Sequence, residues 1–315
     1  MRLRNEPLRV ARRLTSNMTR SDHSFQGATL YFFSLLAISA VLWWHPLLRT
    51  FSLALSDEAY THILLILPLG STIVYLERSL VPLLRPSGQG WGAVGLGAAL
   101  LVRGIVQWGW PGIEADVQLT LTVFALVVWW IGSVAFCFGV PTFQALIFPL
   151  SFLFWMVPFP DAVLDEVVEA LQHQSAAAAL ILFRMAGVPV TQDGVMLSIP
   201  NLDIEVAREC SSIRSSMLLV IITMILAHLF LRSWWRKVLF IAAAIPMAAI
   251  KNGFRIFTIT ELGTRVDPGF FDGNLHHRGG ILFLGFALVM MSGLLLGLRR
   301  GDTIGQKNSN VLAMK

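Results

Sequence analysis

Apolar stretches of about twenty residues follow one another from residue 27 almost to residue 300, and this succession limits what the chain can become. A stretch of that length crosses ~30 Å of hydrocarbon only as a helix, because lipid offers no partner to an unpaired backbone N–H or C=O. Spans are expected at 27–48, 59–77, 91–109, 117–138, 142–158, 213–231, 238–258 and 279–298. The fifth is short and carries Pro149 and Pro158, which makes it the weakest helix of the set. With 55% hydrophobic and 14% charged residues and a mean hydropathy of +0.67, the 315-residue chain is too apolar for an ordinary soluble domain. The expected fold class is therefore all-α, a polytopic membrane helical bundle of about eight transmembrane helices with a small outer-face insert.

Charge sets the expected orientation. Residues 1–26 hold Arg2, Arg4, Arg9, Arg12, Arg13 and Arg20, and a signal peptide would have a shorter apolar core and a small-residue cleavage site, so the first span is read as uncleaved. With the N-terminus inside, fifteen of the 24 Lys and Arg fall in inner segments and five in outer ones, while fifteen of the 19 acidic residues fall outside. Eight spans with both termini cytoplasmic satisfy this bias, and a net charge of +5 spread in this way marks membrane orientation and not nucleic-acid binding. The domain reading is a basic cytoplasmic N-terminus at 1–26, a membrane domain at 27–298 with an outer-face insert at 159–210, and a basic cytoplasmic tail at 299–315. Trp43, Trp44, Trp91, Trp108, Trp110, Trp155, Trp234 and Trp235 lie at span ends, where interfacial anchors belong.

The insert has two parts. From Asp161 to Arg184, Val163, Leu164, Val167, Val168 and Leu171 recur at helical spacing with acids between them, which predicts a helix lying on the outer interface; Ala176 to Phe183 is too short to cross. Then Val188 and Val190, a turn at Asp193-Gly194, and Val195, Leu197 and Ile199 alternate as a hairpin does. Leu202, Ile204 and Val206 alternate again and lead to Cys210 at the outer end of the sixth span.

Two cysteines cannot build a disulfide framework. Cys210 sits in Glu205-Val206-Ala207-Arg208-Glu209-Cys210-Ser211-Ser212-Ile213-Arg214-Ser215-Ser216, where serines suited to N-capping, the positive end of a helix dipole and two arginines favour a thiolate. Under the expected topology Arg255, in the last turn of the seventh span, and the pair His276-His277, before the eighth, come to the same outer level. A thiolate can form an acyl-enzyme, an imidazole can manage the protons, and a permanently charged guanidinium can hold an oxyanion. Taken singly, each residue is equally well a packing, snorkelling or surface group. Arg208 and Arg214 flank the cysteine and either depress its pKa or bind an acidic substrate residue; Lys251 and Asn252 stand one turn from Arg255. Arg103 lies inside the third span and needs a partner or a wet cavity. Tyr60 and His62 are either further site residues or ordinary interface residues, and Cys137 reads as packing. No glycine-rich phosphate loop or structural-zinc spacing occurs, so no cofactor or metal is expected.

The segments Glu205–Ser216, Asn252-Gly253-Phe254-Arg255-Ile256 and Leu275-His276-His277-Arg278-Gly279-Gly280, with Asp57–His62 and Phe148-Pro149-Leu150, resemble the exosortase/archaeosortase family over about residues 27–298. The resemblance implies a membrane cysteine protease or transpeptidase that cuts C-terminal sorting signals of secreted proteins and transfers the new terminus to an acceptor. It further implies substrates with a Pro-Glu-Pro motif, a membrane span and a basic tail, a link to exopolysaccharide production, and residence in the inner membrane with the active site on the periplasmic face. Carried over by residue, the nucleophile is Cys210, the arginine Arg255 and the histidine His276, with His277 as alternate and Arg208, Arg214 and Asn252 in support. Ser212 stands where the family commonly has glycine after the Cys-Ser pair, which affects the local turn. Implied partners are the sorting-signal substrates, an acceptor molecule and membrane lipids. A rival reading, a polysaccharide or lipid transporter with Arg103, Lys251 and Arg255 along its route, rests on the charges inside spans; a third is a lipid or sugar acyltransferase using the same cysteine.

Overall fold

The computed structural model describes residues 26–80, 87–110, 112–200, 202–206, 213–271, 273 and 279–313. The chain divides into two compact units, with the boundary after Pro160.

The first unit contains α1 (Gln26–Leu42), α2 (Trp44–Ser56), α3 (Ile63–Glu77), α4 (Gln89–Gly104, continued by a π turn Ile105–Gly109), α5 (Ala115–Phe138), α6 (Val140–Ala145) and α7 (Ile147–Phe152). The first expected span is two helices, bent by 76° where α1 meets α2. Pro46 explains the break: it has no N–H to give the carbonyl of Leu42, and its ring crowds that carbonyl. The bend drives Trp43 into the core, where it is fully buried and its Nε1 donates to the Thr122 carbonyl at 2.8 Å. Trp43 is thus a joint between helices and not the interfacial anchor its position at a span end predicts, whereas Trp44, Trp91, Trp108, Trp110, Trp234 and Trp235 are exposed. Two more indoles from α5 tie back to α1, Trp129 Nε1 to the Leu35 carbonyl at 3.1 Å and Trp130 Nε1 to Ser39 Oγ at 2.9 Å.

Helix α5 also packs tightly on α4 through glycines. A Cβ on Gly92 would overlap the backbone nitrogen of Phe136, and one on Gly132 would come within 3.0 Å of the Leu96 nitrogen, so the two backbones touch. Small residues that admit such close approach are the ordinary means of helix association in lipid. The fifth expected span is broken at Leu146, between α6 and α7, and ends in a 3₁₀ turn at Leu153–Met156. The missing N–H of Pro149 would have reached Ala145, the last residue of α6, and the break falls there.

The second unit contains α8 (Asp161–Met185), β1 (Thr191–Asp193), β2 (Met196–Ile199), β3 (Leu202–Glu205), α9 (Ile213–Phe230), α10 (Trp234–Arg265) and α11 (Gly280–Ala313). The three strands form an antiparallel sheet in the order β1-β2-β3, with Thr191 opposite Ser198 and Leu197 opposite Ile204. Gly194 takes the left-handed φ of +59° that the tight first turn needs. Alternation then sends Leu197 inward, and it meets Phe183, Ala176 and Ala179 of α8 together with Val206 and Ile256. Helix α8 is continuous, and its buried stripe faces α10 through Ala178, Ala179 and Gly253. Helices α9, α10 and α11 enclose a core around Leu219, Phe240, Ala248, Ala287 and Met291.

Six helices are long and apolar enough to cross a membrane, and eight if α1 with α2 and the 147–156 stretch with α8 each count as one span. The architecture is the expected one, a helical multi-pass membrane bundle with a small three-stranded insert.

Two glycines of α4 separate packing from propensity. Gly92→Ala pushes a methyl into the α5 backbone and is expected to lower stability by about 1–3 kcal/mol, the usual cost of overpacking. Gly97→Ala meets nothing within 4 Å and is expected to be neutral or mildly stabilising. Thermal melts of both variants in the same detergent check the contrast.

Candidate active site

Helix α10 carries Lys251-Asn252-Gly253-Phe254-Arg255, and three of these five side chains are polar and buried: Lys251 is 1% exposed, Asn252 1% and Arg255 8%. Lys251 and Arg255 are four residues apart and share a face of the helix. Charged and polar groups inside a span are costly unless other helices hold them, so their partners show how the unit is assembled.

Lys251 Nζ donates to Ser215 Oγ and, at 3.4 Å, to Ser216 Oγ, both in the first turn of α9. Asn252 Nδ2 donates to Ser175 Oγ on α8 at 3.0 Å. A Cβ on Gly253 would stand 2.6 Å from Ala178 Cβ and 2.8 Å from the Ala179 nitrogen, so only glycine lets α8 come this close. The ring of Phe254 stacks on Phe286 at 4.9 Å and meets the edge of Phe283 at 6.0 Å, both near the start of α11. Within little more than one turn, α10 therefore touches α8, the beginning of α9 and the beginning of α11.

The strand that leads toward Cys210 is also held. Val206 is fully buried, its N–H donates to the Val195 carbonyl at 3.1 Å, and its own carbonyl accepts from Gln172 Nε2 of α8 at 2.6 Å. The chain is thus fixed at Val206, before residues 207–212, and again at Ser215, after them. Beside this strand, Asp165, Glu169 and His173 of α8 face Asp193 and Gly194 across a groove, with His173 Nε2 3.8 Å from Glu169 Oε1.

Of the residues singled out in the sequence, Arg255, Asn252 and Lys251 lie together on α10, and Arg214 is exposed in the first turn of α9. Cys210, Arg208, His276 and His277 lie outside the described residues. Cys210 stands three residues before Ile213, a reach of ~11 Å at most, and His276 stands four before Gly280. Tyr60 and His62 are buried in the first unit: Tyr60 Oη donates to the Phe159 carbonyl at 3.0 Å, and His62 Nδ1 lies 3.0 Å from the Ala59 carbonyl with its ring edge-on to Trp155. Arg103, which needed a partner, has its guanidinium 4.9 Å from the centroid of Trp43. Cys137 is buried in α5. Among the described residues no three His, Cys, Asp or Glu gather in a way that could hold a metal ion.

The model of the transmembrane exosortase family matches residues 43–293, most of the chain. The chain belongs to the transmembrane exosortase family. Exosortases are transpeptidases that act on sorting signals. No curated protein and no solved structure matches this chain.

In this exosortase the sequence also flagged Lys251 and Asn252 but missed the groups that hold them. Ser175 stands directly before the Ala176–Phe183 stretch that reads as too short to cross, and Ser215 and Ser216 carry no signal of their own beside the capping serines Ser211 and Ser212. A serine facing a polar residue of another span is invisible until the pairing of helices is known.

Asn252 and Ser175 offer a direct measurement of that pairing. In a double-mutant cycle of Asn252→Ala and Ser175→Ala, a coupling of about 1 kcal/mol is expected, within the range for hydrogen bonds between membrane helices. Unfolding of the four proteins in mixed detergent reads it.

Proposed function

We propose that this exosortase is a membrane cysteine transpeptidase that cuts C-terminal sorting signals of secreted proteins, with Cys210 as nucleophile, Arg255 as oxyanion partner and His276 as proton carrier. The observation that carries this reading is the stretch 251–255, which touches the entry of α9, three residues after Cys210, and the entry of α11, four residues after His276. His277 is the alternate base, and Arg208 and Arg214 support the thiolate or receive an acidic residue of the substrate. The substrates carry a Pro-Glu-Pro motif, an apolar span and a basic tail, and the work serves exopolysaccharide production. One membrane domain at 27–298, with its insert at 159–210 on the periplasmic side of the inner membrane and both termini in the cytoplasm, agrees with the distribution of arginine and lysine.

The chemistry follows from the residue types. The Cys210 thiolate adds to the scissile carbonyl, and the tetrahedral oxyanion is stabilised by the guanidinium of Arg255, which keeps its charge even when desolvated. Collapse expels the amine, which takes a proton from His276, and leaves a thioester on Cys210. An acceptor nucleophile then gives its proton to the imidazole, attacks the thioester and frees the thiolate. Burial of Arg255 suits this role, since a hydrogen-bond donor in a dry site acts without solvent reorganisation.

Cys210→Ala is expected to leave full-length substrate in the membrane, and Cys210→Ser to be nearly as damaging because serine lacks a low-pKa thiolate. Arg255→Ala is expected to lower turnover by about 10²–10³-fold, as loss of an oxyanion donor does. The deciding experiment is isolation of a covalent thioester between enzyme and processed substrate, present in the wild type and absent in Cys210→Ala. Full function in Cys210→Ala, or insensitivity to a thiol reagent added from outside, would favour the transporter reading instead.

A further inference from the structure

The mechanism above leaves one buried cation without a task. Lys251 is 1% exposed in the middle of a membrane helix, and no carboxylate among the described residues pairs with it. An ammonium is a strongly hydrated charge with three donors, and two serine hydroxyls are a sparse replacement for its water. Arg255, another buried cation on the same face four residues later, adds to the cost. A methionine would fill nearly the same volume with no desolvation penalty, and replacing buried charges by apolar groups is commonly neutral or stabilising. The charge is therefore poorly explained by stability alone.

What Lys251 holds is specific. Ser215 and Ser216 occupy the first turn of α9, and the first turn sets the direction from which the chain enters a helix. On the other side of residues 207–212, Gln172 holds Val206 at 2.6 Å. Lys251 therefore fixes one end of the segment that contains Cys210, and it does so from the helix that presents Arg255. Its neighbour Asn252 keeps Oδ1 buried with no hydrogen-bond partner among the described residues, so the same turn of α10 also retains an unused acceptor.

We propose that Lys251 is a positioning residue of the transpeptidase site, holding the entry of α9 through Ser215 and Ser216 in register with Arg255 on the same face of α10. This rests on the reading of Cys210 as the nucleophile. Lys251 need not meet the substrate; it acts on the geometry between two groups that do.

The test uses full-length enzyme in lipid nanodiscs and a membrane reporter whose C-terminus carries a Pro-Glu-Pro motif, an apolar span and a basic tail. In Lys251→Met, kcat for reporter cleavage is expected to fall about tenfold with KM nearly unchanged, while Tm stays at or above the wild-type value. In a Cys137→Ala background, the rate of Cys210 alkylation by a membrane-impermeant maleimide is expected to change severalfold. Ser215→Ala combined with Ser216→Ala, which keeps the lysine, should reproduce the loss of kcat. Unchanged cleavage and unchanged alkylation in Lys251→Met would overturn the proposal. So would a loss of kcat that merely tracks a loss of folded protein and is not reproduced by the serine pair. If Lys251→Met does not fold, the serine pair decides: reduced kcat supports the proposal and wild-type kcat overturns it. Failure of the underlying functional reading looks different, because Cys210→Ala would then cleave the reporter as the wild type does, and the alkylation rates alone would decide whether Lys251 orders the entry of α9.

Discussion

Inside a bilayer a polar side chain cannot turn to water, so it must find its partner on another helix, and residues 161–315 are organised by that requirement. Lys251 and Asn252, adjacent on α10, reach in different directions, one to Ser215 and Ser216 on α9 and the other to Ser175 on α8. Gly253 makes the second contact possible, because an amide that short reaches a serine hydroxyl only when the two backbones nearly touch. Apolar packing then fills the remaining space, and lipid gives it little directional preference. Hydrogen bonds, close backbone approach at Gly253 and the contacts of Phe254 with Phe283 and Phe286 act together in holding these faces against one another.

Residues 1–160 answer the same constraint with different chemistry. Here the donors are indoles, each with a single N–H and a large apolar body, which satisfies lipid and backbone at once. Trp43 reaches the Thr122 carbonyl, Trp129 the Leu35 carbonyl and Trp130 the hydroxyl of Ser39. Trp43 is available for this only because Pro46 breaks the helix beside it, and its ring then supplies the face over which the guanidinium of Arg103 lies. A charge that looked functional from the sequence is accounted for by a cation–π contact.

Legibility in the sequence follows from the range of the interactions. Spans at 59–77, 91–109, 117–138 and 213–231 are found within a few residues of their expected limits, because twenty consecutive apolar residues report a local property. The hairpin and third strand of the insert were readable for the same reason, from period-two alternation and a glycine that tolerates positive φ. The bend at Trp43 was missed although Pro46 stands in plain view, since a proline near a span end equally well marks the first turn of a new helix. The partners Ser175, Ser215 and Gln172 were out of reach, because no periodicity says which serine of one helix faces which lysine or asparagine of another. Arg255 was legible as a candidate because a guanidinium in a span is rare; its setting beside Lys251 and the entries of two helices required coordinates.

Under the mechanism proposed above, the arrangement around α10 divides tasks in a way that suits acyl transfer. An oxyanion partner has to be stationary, and Arg255 projects from the interior of a 32-residue helix packed against α8, α9 and α11. A nucleophile has to approach one face of the substrate carbonyl, accept the acyl group and later release it, and residues in the connections between elements are often placed for such work. Cys210 occupies such a position in the sequence, between a strand end held by Gln172 and a helix start held by Lys251. Gln172 and Lys251 thus hold the described residues on either side of the cysteine, Val206 and Ser215, to α8 and α10. Under that mechanism the buried Lys251 and the half-buried Gln172 matter through the ends of strand and helix that they hold, and the cost of desolvating the ammonium is what that hold requires.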